Sequence, residues 1–232
     1  MATLHTEEEQ VEALKRWWKQ NGWSTLLGIV AALALYLGWQ NWQTRQHAYA
    51  AEASVRYQQL LMMVQANEQS PTEAQLAKTS QWVENLKEDF GDTSYARFAA
   101  LLLARLQVVD GDLQGAQEQL RWVLDQRNEA AIEQLAQLRL ARVLFALGED
   151  DEAMAIAQEL VDEENSDSAF AAGFYELQGD ISSDRGDLDA ARDFYRQALE
   201  QGDGTGGYGN PMVRLKLESL AVSDSAPAEQ EG

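Results

Sequence analysis

Few side chains in this chain are equipped for covalent or acid–base chemistry. The two histidines, His5 and His47, both flank a long apolar segment, and there is no cysteine. The acidic body of the chain therefore lacks a histidine base, a thiolate nucleophile and any disulfide. No G-x-S-x-G, H-E-x-x-H or Walker-type loop occurs. Gly202, Gly204 and Gly207 match G-x-G-x-x-G, but a dinucleotide site needs a preceding strand and a parallel sheet, so these glycines read as a linker. Asp184, Asp187 and Asp189 crowd one turn without calcium-loop spacing and read as a solvated turn. The expectation is a protein that is not an enzyme, with no cofactor and no metal. The polar chemistry left is recognition. Arg105 and Arg142 occupy equivalent places in two repeated units, where a guanidinium suits a partner's carboxylates or backbone carbonyls. The competing reading pairs both arginines with acids of neighbouring repeats.

The elements that carry these arginines follow from an internal period of about 38 residues. Three segments align on a glycine–acid pair: Gly111-Asp112, Gly148-Glu149 and Gly186-Asp187. Five residues after each glycine stands Ala116, Ala153 or Ala191, and seven before it Ala104, Ala141 or Gly179. Nine after comes Leu120, Ala157 or Tyr195, and thirteen after comes Leu124, Val161 or Leu199. Each unit reads as helix, tight turn, helix. The glycine supplies a left-handed residue at the helix end. The small residues let two helices cross closely, and the apolar residues recur at helical spacing.

Upstream, Ala48–Gln65 and Thr72–Phe90 read as two more helices, broken at Ser70-Pro71-Thr72. Their apolar stripes are Ala53, Tyr57, Leu60, Leu61 and Val64, and Leu76, Trp82, Val83 and Leu86. They form a degenerate first repeat or cap. Downstream, Gly202–Gly209 is a flexible linker, and Asn210-Pro211 opens a last helix ending near Leu220. Its apolar residues are Val213, Leu215, Leu217 and Leu220. Residues 221–232 are small and acidic and are expected to be disordered.

Ahead of the array lies Trp23–Trp42, 20 residues without a charge, inside an uncharged run from Gln20 to Thr44. As a helix it spans roughly 30 Å, the thickness of a bilayer's hydrocarbon core. Trp17, Trp18 and Trp23 stand at one end and Trp39 and Trp42 at the other, the placement of interfacial aromatic belts. A signal peptide with cleavage at Ala48-Tyr49-Ala50 is disfavoured, because signal apolar regions run only about 7–15 residues. Lys15, Arg16 and Lys19 precede the span, whereas only Arg45 follows it before Arg56. The positive-inside rule then places the N-terminus in the cytoplasm and the residues beyond about 45 across the membrane. Thr6 with Glu9 suits a capping box for a helical tail, with Val11, Leu14, Trp17 and Trp18 on one face. That tail is either a helix along the inner leaflet or an extension of the span.

Acids outnumber bases by 38 to 18, and the net charge is −20. Residues 1–22 and 23–50 cancel at −1 and +1, so residues 51–232 carry the whole imbalance. Such a surface repels phosphate backbones, and nucleic acid is excluded as a partner.

The repeat resembles the tetratricopeptide repeat. Tyr175, Gly179, Gly186, Ala191, Tyr195 and Ala198 fall at its signature positions. The fold class expected is all-α, a single N-terminal transmembrane helix followed by a tetratricopeptide-like helical repeat array. The domains are a cytoplasmic tail (1–22), the span (23–44), the array (45–201), linker and capping helix (202–220) and an acidic tail (221–232). The resemblance implies that the first helix of each unit lines a partner-binding groove. Its residues would be Phe98, Leu101, Arg105 and Val108, then Leu135, Leu138, Arg142 and Phe145, then Glu176 and Asp180.

The order of parts resembles one family over nearly the whole chain, the ancillary subunits of the SecYEG translocon, YfgM-type inner-membrane proteins. The carriers are the run Gln10 to Trp18, Gly38-Trp39-Gln40, Ser94-Tyr95-Ala96, the run Leu138 to Val143, the run Gly186 to Arg192 and the run Met212 to Leu217. The resemblance implies a non-enzymatic protein of the cell inner membrane, with its C-terminal domain in the periplasm. It implies as partners the SecYEG translocon, the periplasmic chaperone PpiD and exported unfolded proteins. The other reading is a general envelope-assembly scaffold not bound to the translocon.

Overall fold

The computed structural model describes residues 7–65, 72–162, 169–204 and 211–225. The chain divides into two units, Met1–Glu52 and Ala53–Gly232.

The first helix, α1, runs Glu7–Gln65. The tail before the apolar stretch is thus an extension of the same helix, and Ala48–Gln65 is its C-terminal part rather than a separate element. The physical reason is that residues 7–65 contain no proline and only three glycines, and nothing stops helix propagation. The capping box expected at Thr6 lies outside the described residues. α1 is long and apolar enough to cross a membrane, and its most apolar window is entirely unburied. A core helix would be buried, so the side chains from Trp23 to Trp42 have the exposure of a lipid-facing surface.

Eight further helices follow among the described residues. They are α2 (Glu73–Phe90), α3 (Ser94–Asp110), α4 (Leu113–Leu124), α5 (Ala130–Ala146), α6 (Asp150–Asp162), α7 (Ala171–Asp184), α8 (Leu188–Gly204) and α9 (Pro211–Ser225). No strand occurs among the described residues. From α2 onward each helix packs on the next, and α5 also packs on α7. That is the pattern of a helical repeat array, in which each unit buries its apolar face against its neighbours.

Both members of the repeated glycine–acid pair have a local task. Gly111, Gly148 and Gly186 have φ of 89°, 79° and 80°, the left-handed region that a side chain makes costly. In every unit the next residue's N–H reaches back five residues: Asp112 to the Gln107 carbonyl, Glu149 to Leu144 and Asp187 to Ser182, each at 2.9 Å. The glycine N–H bonds three residues back, completing a Schellman motif. The aspartates then cap the following helix. Asp112 Oδ1 accepts from Gly115 N–H at 2.9 Å, and Asp187 Oδ1 from Ala190 N–H at 3.2 Å. The glycine ends one helix in every unit, and in the first and third the aspartate starts the next.

Close helix crossing follows at the small residues. Ala116, Ala153 and Ala191 are completely buried, and Ala104, Ala141 and Gly179 on the opposing helices are buried too. The last helix overshoots its expected end at Leu220 and reaches Ser225. No glycine or proline interrupts Ala221–Ser225, and Pro227 disfavours helix only for the residue before it. Gly202 and Gly204 belong to the end of α8, while Gly207, Asn210 and residues 226–232 lie outside the described residues.

A groove lined by the first helices of the repeats

The first helices of the three units, α3, α5 and α7, carry the residues expected to meet a partner. On α3, Arg105 and Val108 are exposed, and Phe98 lies 6.2 Å from the Tyr57 ring. On α5, Arg142 is exposed, whereas Leu135 and Phe145 are half-buried. Leu101 and Leu138 are only 4% and 6% exposed, so they support the lining from beneath. Leu138 is held by α7: a Cβ on Gly173 would sit 2.8 Å from Leu138 Cδ2.

Arg105, Val108, Arg142 and two residues missed in the sequence, Leu113 and Arg139, surround one hollow between α3, α4 and α5. The cavity is about 210 Å³, and Ala104, Leu120, Val143 and Ala146 complete its apolar wall. Arg139 is partly buried and donates from Nη1 to the Leu101 carbonyl at 3.3 Å. Burial lowers its pKa, and the positive charges of Arg105 and Arg142 lower it further. Three guanidinium groups therefore share one site and repel one another. The signal for Arg139 was present in the sequence, three residues before Arg142 on the same helix face.

The third unit has the opposite charge at the matching place. The sixth residue before the turn glycine is Arg105, Arg142 and then Asp180. Asp180 and Glu176 do not stand open. Lys216 on α9 donates to Asp180 Oδ1 and Oδ2 at 2.7 Å and to Glu176 Oε1 at 2.9 Å. Tyr195 Oη donates to Asp180 Oδ1 at 2.8 Å. Arg142 reaches Glu176 Oε2 at 3.4 Å. Burial lowers the Lys216 pKa, but the hydrogen bonds and charges of Asp180 and Glu176 outweigh it, and the net shift is upward. Tyr195 is raised by burial first and by its bond to Asp180 second. Phe145, Asp180, Tyr195 and Lys216 line a second, more open cleft of about 390 Å³ between α5, α7, α8 and α9.

The competing reading of the two arginines thus holds for one of them. Arg142 pairs with a neighbouring repeat's acid, whereas Arg105 pairs with no carboxylate among the described residues. Among the aspartates that crowd the third turn, Asp187 caps a helix and Asp189 pairs with Arg192 at 2.6 Å. Among the described residues no cluster of histidines or carboxylates is arranged to hold a metal ion.

The sequence profile of the tetratricopeptide repeat-like domain family matches residues 15–222. Over 220 residues the chain is 31% identical to a Haemophilus influenzae protein named as an ancillary SecYEG translocon subunit. That alignment covers 95% of this chain and all of the relative. A protein of the same name from Aggregatibacter actinomycetemcomitans is 30% identical over 95% of this chain and its own full length. One from Escherichia coli is 27% identical over 96% of this chain, again at full length.

Proposed function

We propose, from the premise that this chain belongs to the family of tetratricopeptide repeat-like proteins that includes the ancillary SecYEG translocon subunits, that it is a membrane-anchored accessory of the Sec translocon. It acts by binding, not by catalysis. The observation that carries the reading is the pairing, in one chain, of an unburied apolar helix with a repeat array whose first helices expose apolar and cationic side chains.

Each part has a physical task in that reading. The uncharged stretch of α1 crosses the inner membrane. Lys15, Arg16 and Lys19 keep the N-terminus in the cytoplasm, so the array stands in the periplasm. Anchoring raises the array's effective concentration beside the channel exit, and weak contacts with emerging chains then suffice. Apolar contact is not sequence-specific, which suits many unfolded exported proteins. Handing those chains to a periplasmic chaperone, PpiD being the candidate that the family resemblance suggests, completes the role.

The test is crosslinking in cells from photoreactive residues at Leu35 and Phe145, with mass spectrometry of the adducts. Translocon subunits at Leu35, with chaperones or exported chains at Phe145, support the proposal. Adducts to a single envelope-assembly protein, and none to the translocon, overturn it in favour of a general scaffold.

A further inference from the structure

The hollow between α3, α4 and α5 has a composition at odds with the rest of the array. Acids outnumber bases about two to one in this chain, yet three arginines ring this one apolar cavity. Among the described residues a single carboxylate, Glu176, contacts any of the three, and only at 3.4 Å from Arg142. Arg105 is exposed and unmatched by an acid, and Arg139 is held in place by the Leu101 carbonyl. A charged group kept near like charges gains when an opposite charge arrives, and a guanidinium receives a carboxylate through charge-assisted, often bidentate hydrogen bonds.

The size of the hollow narrows the occupant. Small-molecule and cofactor pockets run about 300–1,000 Å³. At about 210 Å³ this one suits a side chain or two of a polypeptide. Its walls are Val108, Leu113, Leu120 and Val143, which favour an aliphatic or aromatic group.

We infer that this hollow is a selectivity site for exported segments in which an acidic side chain stands beside a large apolar one. The apolar side chain enters between Val108 and Leu120, and the neighbouring carboxylate meets Arg105 at the rim, Arg142 being already engaged by Glu176. The inference rests on the groove reading above and adds a chemical preference to it. The second cleft sets Asp180 and Asp184 against the single cation Lys216, so it keeps a net negative charge and lacks that preference, and discrimination is concentrated at the first two units.

The experiment is calorimetric titration of the full-length chain in detergent with two end-blocked peptides. One carries a leucine–glutamate–phenylalanine core and the other has glutamine in place of glutamate. Blocked ends remove the terminal carboxylate, so only the side-chain acid is read. The acidic peptide is expected to bind about tenfold tighter, the effect of one charge-assisted contact. In Arg105→Gln the two peptides become equal, with an unchanged melting temperature showing that the exposed substitution leaves the fold intact. Raising salt from about 0.01 M to about 1 M, which shortens the Debye length from about 30 Å to about 3 Å, also narrows the gap. Equal affinities in the native chain overturn the inference and leave the groove reading standing. A preference that survives in Arg105→Gln overturns this location for it. If neither peptide binds while clients crosslink at Phe145, the inference falls and the groove reading stands; if clients fail to crosslink as well, both readings fail.

Discussion

Gly179 on α7 has no Cβ because the Tyr195 ring of α8 occupies its place: a Cβ there would lie 2.5 Å from Cε1 and 2.6 Å from Cδ1. In the two earlier units the matching pairs are Ala104 with Leu120 and Ala141 with Ala157. Leu120 is matched by alanine and the bulkier Tyr195 by glycine, whereas the second unit sets alanine against alanine. Gly179→Ala is therefore expected to destabilise the array by about 1–3 kcal/mol through overpacking. In a Tyr195→Leu background the same change should be neutral or slightly stabilising, since alanine is the better helix former by roughly 0.5–1 kcal/mol. A double-mutant cycle by chemical denaturation measures the coupling, and additive effects would refute the contact.

Ala191 sits completely buried where α7 and α8 cross. Ala191→Leu forces extra volume into that crossing, at a cost of about 1–3 kcal/mol. Thermal melting followed by circular dichroism reads it, and an unchanged midpoint would show the repeat register to be misplaced.

The turn glycines are conformational, not steric. A Cβ on Gly148 would meet nothing within 4 Å, but its φ is +79°. Gly148→Ala is expected to cost about 1 kcal/mol or more, because alanine is strained in the left-handed region. Gly148→Asn should cost less, since asparagine tolerates that region better. Equal losses for the two variants would mean that the turn relaxes to another conformation.

Lys216 ties α9 to α7. Its side chain is 29% exposed, so solvent screens the pair only in part. Lys216→Met leaves Glu176 and Asp180 without their shared cation and should cost about 1–2 kcal/mol. If melting and the proteolytic resistance of α9 are unchanged, the contact carries no stability.

Alkaline pH should loosen the same corner. The Lys216 ammonium is raised because Asp180 and Glu176 outweigh the effect of burial, and the Tyr195 phenol is raised by burial and then by Asp180. Both groups hold their protons in the folded chain at pH values where the unfolded chain, with ordinary values of about 10, releases them. Their contribution is complete below about pH 10 and is lost as pH rises through the folded values. The melting temperature should fall above about pH 10, and the fall should be shallower in a Lys216→Met, Tyr195→Phe double variant. Parallel curves for the variant and the native chain would exclude these groups as its source.

The repeat was legible in the sequence because its signals are local. A glycine with positive φ, the acid that caps the next helix and the alanines at fixed offsets act within a few residues of one another, so Gly111, Gly148 and Gly186 mark the turns without any tertiary information. The membrane-length helix was legible for the same reason, since uncharged length is a property of contiguous residues. Other features depended on residues far apart in the chain. Arg139 joins Arg105 only when α5 packs beside α3, and Lys216 meets Asp180 across 36 positions. No periodicity reports such encounters. Nor did the sequence reveal that α1 is unbroken from Glu7 to Gln65, because tail, span and first array helix differ in composition while sharing an absence of helix breakers. Composition and local pattern determined the all-α repeat fold. Which arginine stays open to a partner and which acid is already taken was decided by the packing of helices distant in sequence, where burial and neighbouring charge set the energy of each ion.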